Sequence, residues 1–233
     1  MTSKIIDMKL NLLCLVLLMS VTFGFSQTAN ETASILMEKQ ILKKSRDIGD
    51  PEVSISSIYR LIALEGEQSK YKDTLAYMYF STRKYAPCYM ITTEVLQRDP
   101  KNLEMLEIRA ISLESLGAFD KAAEDYSNLF DITKNNFHGY NLAKLQFSLK
   151  KNEEALVTIE KTEKLNDAGK YTVSYAVNKR HTQEVELLAA ISYLKGLITI
   201  ELGKKEEAKA SFEKAITIQS DFTLAKEALE SLK

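Results

Sequence analysis

Leu187, Ile191, Leu194, Ile198 and Leu202 stand three or four residues apart, the spacing of one apolar face of a helix. Phe222, Ala225, Leu229 and Leu232 repeat that spacing near the end of the chain, with Lys226, Glu227, Glu230 and Lys233 on the polar side. Further upstream the pattern acquires a second, longer period. Ala76 and Ala110 lie 34 residues apart, as do Tyr79 and Leu113, Tyr85 and Phe119, Cys88 and Ala122, and Val95 and Leu129. A period of this size marks a solenoid, and 34 residues hold one helix, a turn and a second helix. Only 8 Gly and 3 Pro occur in 233 residues, a scarcity of breakers that suits a mostly helical chain.

Five units can be laid on this ruler, each with helix A at positions 1–14, a turn near 15–17 and helix B from about 18. Residues 103–136 fit best, with Leu106, Ala110, Leu113, Gly117, Phe119, Ala122 and Tyr126 in register. Gly117 supplies the turn, and Arg109 departs from the pattern, its stem expected to cover apolar surface while its head reaches water. Residues 69–102 and 189–222 are also clear. In the first, Cys88 takes a small buried position and Pro100 ends helix B; in the second, Gly196, Gly203 and Ala208 fill the small positions, and Glu206 and Glu207 form a solvated face at a helix start. Residues 136–169 fit moderately, with Lys150 where the turn glycine belongs. Residues 35–68 fit least: Leu42 stands where a small residue belongs, although Gly49-Asp50-Pro51 still reads as one helix ending and the next beginning. Residues 223–233 form a cap over the last apolar face, and 27–34 a short lead-in.

One segment breaks the period. About 19 residues, 170–188, intervene between the fourth and fifth units, and the fifth A helix is expected to start near Thr182. Residues 167–181 then form a long loop in which Tyr171, Val173, Tyr175 and Val177 alternate like a strand, with no second strand for pairing. Long loops in compact folds are often functional, and a spacer is the alternative.

The first residues carry a different signal. Lys4 and Lys9 precede an apolar stretch from Leu12 to Met19, and Gly24 and Ser26 suit cleavage before Gln27, so 1–26 reads as a secretory signal peptide too short to anchor in a bilayer. Without Lys4, Lys9 and Asp7 the chain keeps 29 basic and 31 acidic residues, a net charge of −2 that offers nothing to neutralise phosphates, so nucleic acid is not the expected partner. Cys88 would be the one remaining cysteine, so stability must come from helix packing rather than a disulfide.

Over residues 35–232 these motifs resemble the tetratricopeptide repeat family. The resemblance implies an all-α fold, a right-handed α-solenoid of about five helix–turn–helix repeats with a C-terminal capping helix. In that family, positions 2, 5, 9 and 12 of helix A line a concave groove. The matching residues here include Lys39 and Lys43; Asp73, Tyr77 and Phe80; Glu107 and Glu114; Phe137, Tyr140, Lys144 and Phe147; and Tyr193. The groove is then basic at its N-terminal end, acidic in the middle and aromatic around both. The carboxylate clamp of chaperone-tail binders is excluded: Lys39 fits it, but Lys43, Thr74, Glu104 and Ile108 do not. Phe23-Gly24-Phe25-Ser26-Gln27 resembles the signal ends of exported Bacteroidota proteins.

Catalytic chemistry is not expected. His138 and His181 lie far apart and form no ligand cluster with Cys88, and neither a phosphate loop nor a nucleophile elbow occurs, so no catalytic residue, metal or cofactor is assigned. The expected function is a non-catalytic protein–protein interaction scaffold of the periplasm, or of the extracellular space, that binds a peptide or partner helix. The alternatives are capture of a small molecule or glycan at the envelope, and outer-membrane assembly. After signal cleavage no membrane span is expected, and the sequence sets no oligomeric state.

Overall fold

The computed structural model describes residues 30–66, 68–165 and 171–232. The expected signal peptide, the first residues of the lead-in and part of the interrepeat loop lie outside them. Among the described residues there are eleven helices and one two-stranded sheet. The chain divides into two compact units, one ending at Thr82 and one spanning Arg83–Lys233.

The first unit holds α1 (30–47), α2 (Pro51–Glu65) and α3 (Tyr71–Ser81). Helix is already present at residue 30, so the end of the expected lead-in belongs to α1. Asp50 caps α2 by accepting from the Glu52 and Val53 amides, and Pro51 takes the first turn, where its missing N–H costs nothing. Leu42, Ile58, Leu61, Leu75, Ala76 and Tyr79 are buried. Leu42 is tolerated at a position that favours small residues because the small side chains sit elsewhere: the buried Ser45 and Ser54 hydroxyls join at 2.7 Å, and Ser57 donates to Glu38.

The second unit runs through α4 (Tyr85–Arg98), α5 (Leu103–Ser115), α6 (Phe119–Thr133), α7 (Asn136–Ser148), α8 (Asn152–Glu163), β1 (Thr172–Asn178), β2 (His181–Glu186), α9 (Leu187–Glu201), α10 (Lys205–Ile218) and α11 (Thr223–Glu230). Each helix from α4 to α8 packs on the next, as do α9, α10 and α11, and α8 also packs on α9. Cys88, Ala110, Ala122, Ala155 and Ala208, the small residues of the repeat, are fully buried. Gly196 marks a close approach: a Cβ there would fall 2.3 Å from the Phe212 ring. At the α7–α8 turn Lys150 adopts φ +61°, so the backbone keeps the left-handed turn that Gly117 makes elsewhere, at the cost of a Cβ clash.

Three expectations are corrected. The described part of the expected loop, 171–181, does not hold a strand without a partner, because 172–178 pair antiparallel with 181–186, Tyr175 opposite Gln183 and Val173 opposite Val185. The fifth A helix therefore begins at Leu187 and not near Thr182. Arg109 does not extend its head into water. It forms a two-pronged ion pair with the buried Asp125, Nη2 to Oδ1 at 2.6 Å and Nε to Oδ2 at 2.8 Å. A guanidinium desolvated to this degree is held by the fork geometry that a carboxylate matches.

Candidate interaction site

The hairpin decides which groove positions remain accessible. Asn178 accepts from the Arg180 and His181 amides and so closes a two-residue turn at Lys179-Arg180. Alternation then puts Val173, Tyr175 and Val177 on one face of β1 and Thr172, Ser174 and Ala176, all exposed, on the other. The Tyr175 hydroxyl meets that of Tyr140 on α7 at 2.8 Å, and its ring packs against Tyr193 on α9 and Phe222 at 5.6 and 5.4 Å. Tyr171, just ahead of β1, stacks on Phe137 at 5.0 Å. Phe137, Tyr140 and Tyr193 are thus engaged by the chain's own hairpin. Tyr140 is 3% exposed, and burial pushes its phenol up to about 12. Burial also pushes Tyr175 and Tyr193 up.

The second edge of the hairpin is secured through side-chain amides. Gln219, after α10, accepts from the Glu186 N–H and donates to the Glu184 carbonyl, the two bonds a residue on a parallel neighbouring strand would make. Gln183 donates to the Asp221 carbonyl and accepts from the Thr223 N–H, which opens α11. These contacts span 33 to 40 residues in sequence, and the 34-residue ruler carries no trace of them. What the sequence did carry was a second alternation, Gln183 and Val185 against Thr182, Glu184 and Glu186, hidden because the helical stripe of α9 was extended back over it.

Elsewhere on the A-helix face of this unit, charged side chains remain accessible. Lys144 on α7 donates to Glu114 on α5 at 2.7 Å, and both are part-exposed. Glu107 on α5 is 41% exposed in its side chain and lies 4.0 Å from Nε2 of His138. Burial lowers the His138 pKa, an effect that Glu107 opposes. His138 Nδ1 lies 2.8 Å from the Thr133 hydroxyl, whose own proton goes to the Leu129 carbonyl. Phe147 is half-buried, with Lys150 Nζ 6.0 Å from its ring centre.

In the first unit the predicted positions fall into two groups. Lys39 pairs with Glu65 at 3.5 Å and, with Leu42, Lys43, Arg46, Asp47 and Tyr71, lines an open concavity of about 450 Å³. Asp73 and Phe80 are part-buried on α3, and Tyr77 is 41% exposed. Cys88, in the second unit, is fully buried with its thiol pushed up, a structural rather than a reactive setting. Among the described residues no helix is long and apolar enough to cross a membrane.

Residues 189–222, the fifth unit of the ruler, match the tetratricopeptide repeat family. No curated protein matches the chain in sequence. Among solved structures, the chain is similar to YrrB, described as a TPR protein with an unusual peptide-binding site, at 15% identity and TM-score 0.63, over 81% of this chain and 88% of that one. It is similar to MamA from Desulfovibrio magneticus RS-1 at 10% identity and TM-score 0.60, over 82% and 97%. A further MamA structure shares 18% identity at TM-score 0.55, over 68% and 82%. At these identities the likeness establishes the fold. With the repeat match, the architecture is that of a tetratricopeptide repeat solenoid, a fold generally used for protein–protein interaction.

Proposed function

We propose that the chain is an exported, non-catalytic scaffold that acts in the periplasm and binds a peptide segment of a partner protein along the A-helix face of α5 and α7. The observation that carries this reading is the contrast on that face: Glu107, Glu114, Lys144 and Phe147 remain part-exposed, whereas the aromatic positions next to them are filled by the hairpin. A half-exposed mixture of charge and one aromatic ring suits recognition of a polar, extended segment, with the ring as anchor. The peptide-binding description of YrrB supports the same use of the fold. The basic start and apolar core of residues 1–26 support export.

The test is crosslinking and capture of tagged full-length chain in its source organism, beside a variant carrying Glu107→Ala, Lys144→Ala and Phe147→Ala. These residues are part-exposed, so the triple variant keeps its fold, checked by circular dichroism. A partner lost in the variant supports the reading. A partner retained moves the interaction elsewhere, and retention of the chain in the cytosol with its leader intact ends the export claim.

A further inference from the structure

The two edges of the hairpin differ. The β2 edge is bonded by Gln219 at Glu184 and Glu186, so the backbone groups of even-numbered residues point away from the partner strand. The Leu187 N–H bonds to the Tyr171 carbonyl, which places the odd-numbered residues in the shared ladder. By the alternation of an antiparallel pair, Thr172, Ser174 and Ala176 direct their N–H and C=O groups out of the β1 edge. Among the described residues nothing bonds to them. Natural sheets blunt such edges with lysine, proline or a covering segment. From Thr172 to Asn178 this strand has no charge, proline or glycine.

The edge also has a direction. β2 lies toward the α10–α11 connection, and β1 lies over the N-terminal half of α7, with Tyr171 on Phe137 and Tyr175 on Tyr140. A further strand would sit about 4.8 Å beyond β1, on the α5 side. There Phe137 adjoins His138, and His138 faces Glu107. Glu114 has Lys144 as counter-charge, but the group opposite Glu107 is an imidazole with a lowered pKa, so the Glu107 charge is not offset at neutral pH.

We infer that the β1 edge is a strand-addition site. Its occupant is an extended peptide that pairs with Thr172, Ser174 and Ala176 through its backbone and directs lysine or arginine at alternate positions toward Glu107. The inference rests on the scaffold reading and deepens it: main-chain bonding supplies affinity, and the carboxylate selects a basic sequence. A neutral strand edge beside one uncompensated carboxylate disfavours acidic segments by like-charge repulsion.

The probe is a fluorescein-labelled, end-capped nonapeptide alternating lysine and valine, followed by anisotropy with the full-length chain. Its comparators are the same peptide with glutamate for lysine, and the lysine peptide with alternate backbone amides N-methylated. Ser174→Pro removes one outward N–H and spares the β1–β2 ladder, and proline is accepted on such an edge. Glu107→Lys tests the charge without touching the hairpin, so it stays informative if Ser174→Pro unfolds. Binding of the lysine peptide should weaken at least about tenfold on N-methylation and on Ser174→Pro, and Glu107→Lys should reverse the preference between lysine and glutamate peptides. No binding of the lysine peptide, or equal binding of the N-methylated one, overturns the inference. So does a wild-type dimer that Ser174→Pro converts to monomer, because the occupant is then a second copy. A cellular partner captured equally by wild type and Ser174→Pro also overturns it, and leaves the scaffold reading standing.

Discussion

Position 5 of helix A is Glu107 in α5, Tyr140 in α7 and Tyr193 in α9. The three sit at equivalent places in equivalent helices, yet the Glu107 side chain is part-exposed while Tyr140 is buried and hydrogen-bonded. The repeat does not account for the difference. It comes from the insertion, which folds back as β1 and β2 and covers the α7–α9 end, leaving α5 open. A repeat register thus determines which face a residue is on; whether that face is open depends on what else the chain lays over it.

The contrast breaks most directly at Tyr175. Tyr175→Ala removes the ring that joins Tyr140, Tyr193 and Phe222 and leaves the Tyr140 hydroxyl without its partner, so urea denaturation should show a loss of about 3–5 kcal/mol. Tyr175→Phe keeps the ring and should cost about 1 kcal/mol. On the open side, Glu107→Ala should change stability by no more than about 0.5 kcal/mol. A loss near zero for Tyr175→Ala would mean that the hairpin rests on the α7–α9 face without being part of its core.

A second contrast lies within α5. Asp125 is 3% exposed beneath Arg109, while the Lys144–Glu114 pair on the opposite edge is about one-third exposed at each partner. Arg109→Ala strands a buried carboxylate and should cost about 3 kcal/mol. Lys144→Ala should cost about 0–1 kcal/mol, and less in high salt. If the two costs were equal, burial would not be the variable that separates the two sides.

The helical skeleton was legible in sequence to the extent that contacts obey the period. Ala76, Cys88, Ala110, Ala122, Gly196 and Ala208 all fell on small positions, and all are buried or tightly approached. The start of α2 was legible because Asp50 and Pro51 act on their immediate neighbours. The hairpin was not. A strand needs a partner, and its partner was masked by an apolar stripe running back from Leu187. The Gln183 and Gln219 contacts tie segments far apart in sequence, and glutamine at those places has no spacing to announce it. For the candidate site, the repeat register names positions on helix A, but the openness of Phe137, Tyr140 and Tyr193 depends on the hairpin that lies against them.

The small positions can be tested at a smaller scale. Cys88→Leu in α4 and Gly196→Ala in α9 both add bulk where there is none to spare, since a Cβ at residue 196 meets Phe212 within contact distance. Each should cost about 1–3 kcal/mol in chemical denaturation. A neutral Gly196→Ala would show that Phe212 can swing aside.

The smallest expected effect separates the two ends by pH. The tyrosines of the covered end ionise far above neutrality, whereas His138 of the open end has a pKa below its usual 6.5 because burial disfavours its charge, an effect that Glu107 opposes. As pH falls through 6.5 the unfolded chain takes up this proton first. The contribution of the neutral imidazole is therefore fully present above 6.5 and declines as pH drops toward the folded value. Glu163 acts lower: burial pushes it up, but hydrogen bonds from Lys214 and Lys195 outweigh this and hold it below 4.5, so its stabilisation is lost only as pH falls beneath that range. The two windows are distinct. His138→Asn keeps a polar partner for the Thr133 hydroxyl and removes the titration. Stability measured against pH should therefore lose its slope just below 6.5 in that variant and keep its slope below 4.5. If the upper slope survives His138→Asn, it does not arise at the imidazole facing Glu107, and the open face has no protonation coupled to folding in that range.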